Sequence, residues 1–487
     1  MTEDALLQDD AWQAALFTGQ WQASDASAAA IEPATGKELA RIGLAGPAQI
    51  AASSASAAQA QRGWAAAPYA QRAQVLREAA RLAERHQQEI AGWLVRESGS
   101  TQGKAGFEAS LCASALHEAA ALPSRSQGEV LPSAPGRLSV ARRRPLGVVG
   151  VIAPFNFPLY LAMRAVAPAL ALGNAVVLKP DPRTAVCGGV VIARLFERAG
   201  LPAGVLHVLP GDGAAGAALT ADPHVAMIQF TGSTAAGRKV GEAASRHLKK
   251  VSLELGGKNS LIVLDDADLD LAIANTAWGA YLHQGQICMS TGRVLVQRAL
   301  YPRFVERLAA KAGSLRVGDP ASGEVALGPL INAAQRDHAA RLVADACKAG
   351  ATLAAGGGCR DLFFEPTVLS DVRPDNPAFR EEIFAPVAVV VPFETDADAI
   401  ALANDTEYGL SMAVISADVG RALALGEQLR TGLLHINDQT VNDEVVNPFG
   451  GVGASGNGSS IGGPANWEEF TQWQWLTVKG TAPAYPL

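Results

Sequence analysis

The chain of 487 residues is long enough for about three structural units, each with its own core. Its composition, 49% hydrophobic and 18% charged, is typical of a globular protein and excludes disordered and collagen-like chains. A net charge of −7 provides no basic field for phosphate backbones or anionic membranes, so we expect neither a nucleic-acid partner nor a membrane partner.

The N-terminal segment, residues 1–20, is acidic and lacks the basic and apolar regions of a signal peptide, so we expect a cytoplasmic protein. The longest apolar stretch, residues 146–178, is interrupted by prolines and polar residues, which favours a buried core over a membrane span. The five cysteines are odd in number and form no CxxC pair. We therefore expect no disulfide framework and no metal site.

Apolar residues recur at helical spacing in residues 47–97, which predicts helical structure there. In residues 128–144, short alternating segments flank a proline-rich turn and predict a protruding hairpin. Four short apolar runs separated by helical segments follow, and this alternation predicts a parallel sheet of the dinucleotide-binding type, covered on both faces. The four runs are 147–152, 175–178, 205–209 and 227–230.

A second alternation of strands and helices begins near residues 260–264 and continues with a helix from about Leu269. Further strands are predicted near residues 293–296 and 388–392, so the sequence predicts a second α/β domain. The tail contains three tryptophans, and residues 472–478 alternate like an edge strand, which suits pairing with the sheet of another subunit.

Two glycine-rich turns each follow a predicted strand and open a predicted helix. Residues 211–216 (GDGAAG) fit the GxGxxG pattern, but no acidic residue lies about 20 positions later to hold a ribose. A phosphate cradle, a structural turn and a wall of an adenine pocket all stay open for this segment. Residues 230–237 (FTGSTAAG) place small hydroxylated residues at a helix start, where donors can approach a diphosphate, and a simple turn is the alternative.

Three single residues are candidates for chemistry. Cys288 lies in a glycine-flanked segment between a predicted helix and a strand, which is not typical of an inert buried thiol. Glu254 ends an apolar strand, where burial would raise its pKa toward that of a general base; a salt bridge with Lys258 is the alternative. Asn156 lies in a rigid Pro-Phe-Asn-Phe-Pro loop at the ligand-binding edge of the sheet, and an ordinary turn residue is the alternative.

Together these segments and several others resemble the aldehyde dehydrogenase superfamily over nearly the whole chain. The matching segments, in family order, are 154–158, 177–180, 230–237, 253–257, 285–288, 381–386 and 448–451. Residues 285–293, 435–440 and 466–475 are most similar to the branch of benzaldehyde and vanillin dehydrogenases. The resemblance implies oxidation of a benzaldehyde-like aromatic aldehyde to the carboxylic acid by a homodimer or homotetramer.

The resemblance also implies three parts in the α/β fold. A Rossmann-like cofactor domain comprises residues 1–122 and 145–252, and an α/β catalytic domain comprises residues 253–463. A small β oligomerisation arm comprises residues 123–144 and 464–487.

By this resemblance, Cys288 attacks the aldehyde carbonyl, the thiohemiacetal passes hydride to the nicotinamide, and Glu254 activates the water that hydrolyses the thioester. Asn156 and the backbone N–H of Cys288 donate to the developing oxyanion. Lys179 is assigned to the cofactor ribose and is a candidate for a proton relay. The further implied cofactor contacts are Ile152, Pro154, Phe155, Gly213, Gly232, Ser233, Gly237, Leu255, Glu382 and Phe384.

The cofactor preference is uncertain at one position. Pro182 stands where NAD-preferring relatives often place a ribose-binding glutamate, and Arg183 could pair with a 2′-phosphate. NAD is the expected cofactor, and NADP is left open.

The residues expected near the thiol suit a flat aromatic ring: Phe157, Tyr160, Leu161, Leu282 and Ile287. Arg164 is expected at the pocket mouth. An arginine there receives the carboxylate of succinate semialdehyde in other superfamily members, so a semialdehyde dehydrogenase is the rival function, and a surface salt bridge is the structural alternative. A non-catalytic binding protein on this fold is a further alternative, but it would not need Cys288, Glu254 and Asn156 together. A coenzyme A-acylating dehydrogenase is another, but it would have less need of Glu254 because it releases its thioester to a thiol and not to water.

Overall fold

The computed structural model describes residues 5–486. Those parts of the sequence predictions that fall on residues 1–4 and on Leu487 lie outside the described residues.

Within residues 5–486 the chain forms alternating strands and helices with two larger sheets. The strands are β1 (Ala15–Phe17), β2 (Trp21–Ala23), β3 (Ala26–Ile31), β4 (Glu38–Leu44), β5 (Gly128–Val130), β6 (Arg137–Pro145), β7 (Val148–Ile152), β8 (Ala175–Lys179), β9 (Leu206–Val208), β10 (Val225–Thr231), β11 (Lys250–Glu254), β12 (Asn259–Val263), β13 (Thr291–Gln297), β14 (Thr352–Ala355), β15 (Cys359–Arg360), β16 (Phe363–Phe364), β17 (Thr367–Ser370), β18 (Val387–Phe393), β19 (Ser411–Ile415), β20 (Leu433–Ile436) and β21 (Thr471–Lys479). The α-helices are α1 (Pro47–Ala66), α2 (Tyr69–Arg85), α3 (Gln87–Ser98), α4 (Gln102–Ala121), α5 (Pro158–Ala171), α6 (Val191–Arg198), α7 (Gly213–Ala221), α8 (Thr234–Arg246), α9 (Leu269–Tyr281), α10 (Tyr301–Ser314), α11 (Ala333–Lys348), α12 (Pro377–Arg380), α13 (Asp396–Asn404), α14 (Val419–Gly426) and α15 (Ala465–Phe470).

The first sheet has the order β11-β10-β7-β8-β9-β1-β2. The strands from β11 to β9 are parallel, and the β1–β2 hairpin extends one edge in antiparallel fashion. Every residue of β7 and of β8 is buried, which is typical of parallel strands covered on both faces. The predicted parallel sheet is therefore confirmed, although the sequence did not predict the edge hairpin.

The second sheet has the order β14-β17-β18-β13-β12-β19-β20. Its strands are parallel except for β14, which closes one edge in antiparallel fashion. The predicted second α/β unit is thus confirmed, with strands where the apolar runs indicated them.

A separate three-stranded antiparallel sheet, β21-β6-β5, forms the arm. Strand β21 pairs with β6 along its full length, from Thr471 opposite Pro145 to Lys479 opposite Arg137. Trp473 and Trp475 on β21 remain 53% and 68% exposed. The predicted hairpin and tail strand are confirmed, and pairing of the arm with another subunit stays a prediction.

No helix among residues 5–486 combines the length and the apolar character that crossing a lipid bilayer requires.

Candidate active site

The candidate active site lies where the two larger sheets meet. The carboxyl edge of the first sheet contributes Asn156, which follows β7, Lys179 at the end of β8 and Glu254 at the end of β11. The second sheet contributes Cys288, three residues before the start of β13, and Glu382, five residues before β18. Loops at carboxyl ends of parallel strands are the usual ligand-binding positions of α/β sheets.

Two cavities meet at Cys288. The first is a partly polar groove of about 470 Å³, and the second is a mostly apolar pocket of about 220 Å³. Cys288, Asn156 and Leu161 line both of them. The groove is also lined by Ile152, Pro154, Phe155, Lys179, Asp181, Arg183, Gly232, Ser233, Glu254, Leu255, Glu382 and Phe384. A thiol at this junction has one ligand space on each side.

The backbone before Cys288 is sharply turned. His283, Gln284 and Gly285 have φ angles of 49°, 56° and 67°, three consecutive residues in the left-handed region. At a non-glycine residue this conformation costs ~1–3 kcal/mol and persists only where the surroundings enforce it. The Gln284 amide supplies part of that constraint, because its Nε2 donates to the carbonyls of Gly99 at 3.0 Å and Pro329 at 2.8 Å.

Cys288 itself is held through its backbone. Nδ2 of Asn259 donates to the Cys288 carbonyl at 2.8 Å and to the Ser290 carbonyl at 2.8 Å. Burial, followed by the negative charges of Glu382 and Glu254, raises the pKa of the Cys288 thiol to about 12. The thiol is therefore protonated at neutral pH, and its use as a nucleophile requires a base.

Glu254 has the properties of such a base. It is buried, and neither of its carboxylate oxygens has a hydrogen-bond partner among residues 5–486. Burial raises the pKa of Glu254 well above its usual range, against the opposing charge of Arg164. Lys258 Nζ is equally without a partner in the described chain, and burial lowers its pKa to about 7. The alternative of a Glu254–Lys258 salt bridge is therefore wrong.

The amide of Asn156 is buried beside Cys288. Its Nδ2 donates to the Gln286 carbonyl at 2.9 Å, which orients the amide and uses one of its two N–H groups. Gln286 is anchored in turn, because its Oε1 accepts from the Ile331 backbone N–H at 3.0 Å. The alternative of an ordinary turn residue does not explain this contact across 130 residues of sequence.

The groove offers donors and acceptors suited to a dinucleotide. The α8 N-terminus opens onto it, with Ser233 Oγ accepting from Ala236 N at 3.3 Å. Lys179 Nζ donates to the Gly211 carbonyl at 2.8 Å and retains further N–H capacity. Glu382 accepts from the Gly257 N–H at 3.1 Å, and burial raises its pKa to about 7.

An extension of about 830 Å³ continues the groove between α7 and α8. Gly211, Asp212, Gly213 and Gly216 line it, so the GDGAAG segment forms one of its walls. Of the three possibilities left open by the sequence, this position agrees with the wall of an adenine pocket. The α8 turn, residues 230–237, lines the groove and stays the predicted position of the diphosphate.

Comparison with known proteins identifies the family. Residues 21–476 match the aldehyde dehydrogenase family. The chain belongs to that family. A vanillin dehydrogenase of Amycolatopsis sp. is 58% identical over 484 residues, which cover 99% of this chain and 100% of the relative. A benzaldehyde dehydrogenase (NAD(+)) of Pseudomonas putida is 48% identical over 477 residues, which cover 98% of each chain.

Solved structures of the family agree with this fold. Betaine aldehyde dehydrogenase of Staphylococcus aureus, in complex with NAD+, has a TM-score of 0.94 at 29% identity and covers 100% of this chain and 98% of its own. Lactaldehyde dehydrogenase of Escherichia coli has a TM-score of 0.92 at 34% identity and covers 96% and 99%. The resemblance inferred from the motifs is confirmed.

The cofactor contact of Gly237 that the resemblance to the aldehyde dehydrogenase family implied stays a prediction. It is absent from the residues that line the groove and its extension. A Cβ at this position would lie 2.3 Å from Cδ2 of Leu255. Gly237 therefore permits α8 to pack on the segment after β11, which is a structural role.

Arg164 differs from its predicted place. It is buried, it pairs with Asp443, and its Nη2 donates to the carbonyls of Asn447 at 3.2 Å and Ile461 at 3.1 Å. It does not line the apolar pocket, whereas Asp443 does. The alternative of a surface salt bridge is wrong because the ion pair is buried. The predicted substrate contact by Arg164 stays a prediction, although Nη1 already pairs with Asp443 and Nη2 already donates to two carbonyls.

The other predicted pocket residues are brought together. Phe157, Tyr160, Leu161, Leu282 and Ile287 all line the apolar pocket. Sequence reasoning missed several further residues of this wall: Lys104, Phe107, Leu111, Trp278, Met289, Val441, Asn442 and Phe449. For the three on α4 a signal exists, because positions 104, 107 and 111 share one helix face.

Asp181, beside the uncertain position Pro182, was also missed. Nε and Nη2 of Arg183 donate to the two carboxylate oxygens of Asp181 at 2.8 and 2.6 Å, and the guanidinium lies 4.2 Å from the Phe155 ring centroid. Arg183, the candidate for a 2′-phosphate contact, is therefore already neutralised by a carboxylate that lines the same groove.

Proposed function

We propose that this protein oxidises aromatic aldehydes of the benzaldehyde type to carboxylic acids with NAD. The observation that carries the proposal is the position of Cys288 at the junction of a polar groove and an apolar pocket. The groove has the size and donors for a dinucleotide, and the pocket has the apolar lining for a ring. The names of the relatives, vanillin dehydrogenase and benzaldehyde dehydrogenase (NAD(+)), support the same substrate class and cofactor.

The residues of the groove fit NAD. The N–H groups at the start of α8 suit the diphosphate, Lys179 and Glu382 suit the ribose hydroxyls, and Phe384 suits the nicotinamide. When bound, NAD supplies the acceptor for the hydride that leaves the aldehyde carbon. The Asp181 carboxylate disfavours a 2′-phosphate in the same groove and so supports NAD over NADP.

In the first step, Sγ of Cys288 attacks the aldehyde carbonyl carbon. Because the thiol has a pKa of about 12, its proton must be taken up, and Glu254 lines the groove as a carboxylate without a hydrogen-bond partner in the described chain, so it can accept that proton. The free N–H of the Asn156 amide donates to the oxyanion that forms on the carbonyl oxygen.

In the second step, the thioester on Cys288 is hydrolysed. Glu254 first releases to solvent in the groove the proton that it took from Cys288. It then takes a proton from water, the hydroxide attacks the acyl carbon, and the Cys288 thiolate leaves and takes that proton back from Glu254. The product is a free acid. A coenzyme A thioester would not require this desolvated carboxylate, so hydrolysis is favoured over acylation of coenzyme A.

The rival substrate, a semialdehyde that carries a carboxylate, is disfavoured by charge. The apolar pocket presents Asp443, and Arg164 behind it is already paired with that carboxylate. A second carboxylate entering the pocket would meet repulsion at low dielectric, and the described residues of the lining offer it no unpaired cation.

A panel of aldehydes tests the proposal. Benzaldehyde, ring-substituted benzaldehydes, acetaldehyde and succinate semialdehyde are assayed with NAD and with NADP by the absorbance of the reduced nicotinamide. We expect the highest kcat/KM for a benzaldehyde with NAD. A panel led by succinate semialdehyde would overturn the aromatic assignment, and no aldehyde-dependent reduction at all would favour the non-catalytic alternative.

The assembly and the location belong to the same proposal. The exposed tryptophans of the arm support a homodimer or homotetramer, because an unpaired apolar edge strand favours association. A cytoplasmic location stays a prediction.

A further inference from the structure

Two charged side chains on α4 lie behind the loop that carries Asn156. The side chains of Lys104 and Glu108 are both fully buried and form an ion pair one helical turn apart. Removing two charges from water is costly, and a buried pair is stable only when further hydrogen bonds complete it. The contacts that complete this pair all lead to one segment, residues 156–160.

Lys104 holds the beginning of that segment. Its Nζ donates to the backbone carbonyl of Asn156 at 2.8 Å and lies 4.0 Å from the centroid of the Phe157 ring. A charged donor to a carbonyl is stronger than a neutral one. The backbone of Asn156 is thus held by Lys104 as its amide is held by Gln286.

Glu108 holds the end of the segment. Its Oε1 accepts from the backbone N–H groups of Leu159 at 2.9 Å and Tyr160 at 3.2 Å, which belong to the first turn of α5. These N–H groups have no partner within the helix, and a carboxylate also interacts favourably with the helix N-terminus. The Lys104–Glu108 ion pair therefore holds residues 156–160 by hydrogen bonds at both ends.

These contacts matter for the reaction because the Asn156 amide must donate to the carbonyl oxygen of the aldehyde, and the bond to Cys288 sets the position of that oxygen. Asn156 follows a strand of the first sheet and Cys288 precedes a strand of the second. A small shift of the Asn156 loop therefore changes the distance from its amide nitrogen to the oxyanion. A displacement of ~1 Å can cost about 100-fold in rate.

We propose that Lys104 and Glu108 are positioning residues that hold the Asn156 amide at the place where the oxyanion develops. This inference rests on the proposed function, in which Asn156 is the oxyanion donor. Lys104 and Glu108 act through the backbone of residues 156–160 and not by contact with the reacting atoms.

Glu97 offers a matched control. Its carboxylate is also fully buried and accepts from two backbone N–H groups, those of Val186 at 2.9 Å and Cys187 at 2.7 Å, at the start of the π-helix Val186–Val190. Glu97 lines neither cavity that meets at Cys288. Its substitution therefore removes the same kind of buried cap without removing a hydrogen bond to residues 156–160.

The test is a double-mutant cycle on the full-length protein with benzaldehyde and NAD. Glu108→Gln is made in the wild-type and in the Asn156→Ala backgrounds, and kcat and the thermal midpoint are measured for all four proteins. We expect Glu108→Gln to lower kcat at least tenfold in the wild-type background and less than twofold in the Asn156→Ala background. Glu97→Gln is expected to lower the thermal midpoint and to leave kcat unchanged in both.

A Lys104→Met/Glu108→Gln variant removes both charges and avoids an unpaired buried lysine, so it replaces Glu108→Gln if that variant does not fold. Equal losses of kcat in both backgrounds, or wild-type kcat in the folded double variant, would overturn the inference alone. An Asn156→Ala variant with wild-type kcat would overturn the proposed role of Asn156 and this inference with it.

Discussion

At the residue scale, the chemistry depends on a protonated thiol and an unpaired carboxylate. We expect Cys288→Ala to abolish oxidation of every aldehyde and to leave the protein folded, because Asn259 holds this turn through its backbone carbonyls and not through the thiol. Reduced-nicotinamide absorbance measures the activity, and intrinsic fluorescence quenching measures dinucleotide binding. Substantial turnover by this variant would refute Cys288 as the nucleophile.

Glu254→Gln tests the base. Since burial raises the pKa of Glu254, the ionised base becomes scarcer as the pH falls through that raised pKa, so wild-type kcat should fall toward acidic pH. The glutamine variant should lose this dependence, and because Glu254 accepts a proton in both steps, it should form NADH more slowly in the first turnover as well as in the steady state. Steady-state turnover equal to wild type would exclude Glu254.

We expect the Asp181–Arg183 pair to set the cofactor preference. Asp181→Asn removes the charge that neutralises Arg183 and repels a 2′-phosphate, so the ratio of kcat/KM for NADP to that for NAD should rise about tenfold. The control is Asp181→Asn/Arg183→Ala, in which the gain should disappear. An unchanged ratio in the single variant would show that the pair lies too far from the ribose to matter.

At the element scale, we predict that the turn before Cys288 does not tolerate a side chain at Gly285. Gly285 has a φ of 67°, and a Cβ there would lie 2.2 Å from the Ala385 carbonyl oxygen. Gly285→Ala should therefore destabilise the protein by more than the ~1–2 kcal/mol of left-handed backbone alone, and should lower kcat by displacing Cys288.

Gly136→Ala is the control for that substitution. Gly136 has a φ of 76° and lies in the arm hairpin, where an added methyl group would meet open space, so only the backbone cost applies. Chemical unfolding and kcat of the two variants are compared. Equal losses of stability would show that the turn relaxes around the new methyl group.

The sequence predicted those elements whose burial pattern is strong. The parallel strands were predicted because whole apolar runs are buried, whereas β2 and β3 were missed because they are short and largely exposed. The continuous helical region split into α1, α2 and α3 at positions such as Pro68, which lies between the first two.

The site was predictable to the extent that its residues lie at strand ends. Asn156, Lys179 and Glu254 follow parallel strands, and topology alone brings such positions to one edge. The pairs Lys104–Asn156 and Arg164–Asp443 were not predicted because their partners lie 52 and 279 residues apart. No local pattern marks a contact at such separation.

At the scale of the whole molecule, we expect the arm to join subunits of this protein into an oligomer. Trp473 and Trp475 are exposed on β21, and Arg143 lies 3.8 Å from the Trp473 ring centroid. Replacing both tryptophans by serine should shift a dimer or tetramer toward the monomer in light scattering, with the secondary structure retained. A wild-type protein that is a stable monomer would refute the prediction.

The raised pKa of Cys288 has a consequence for the lifetime of the protein. Oxidants and alkylating reagents attack the thiolate, and a thiol with a pKa of about 12 is almost wholly protonated at neutral pH. We therefore expect peroxide to oxidise the resting Cys288 slowly and to consume the exposed Cys359 first, which mass spectrometry of the treated protein would measure. The same burial that makes the thiol dependent on a base protects it between turnovers.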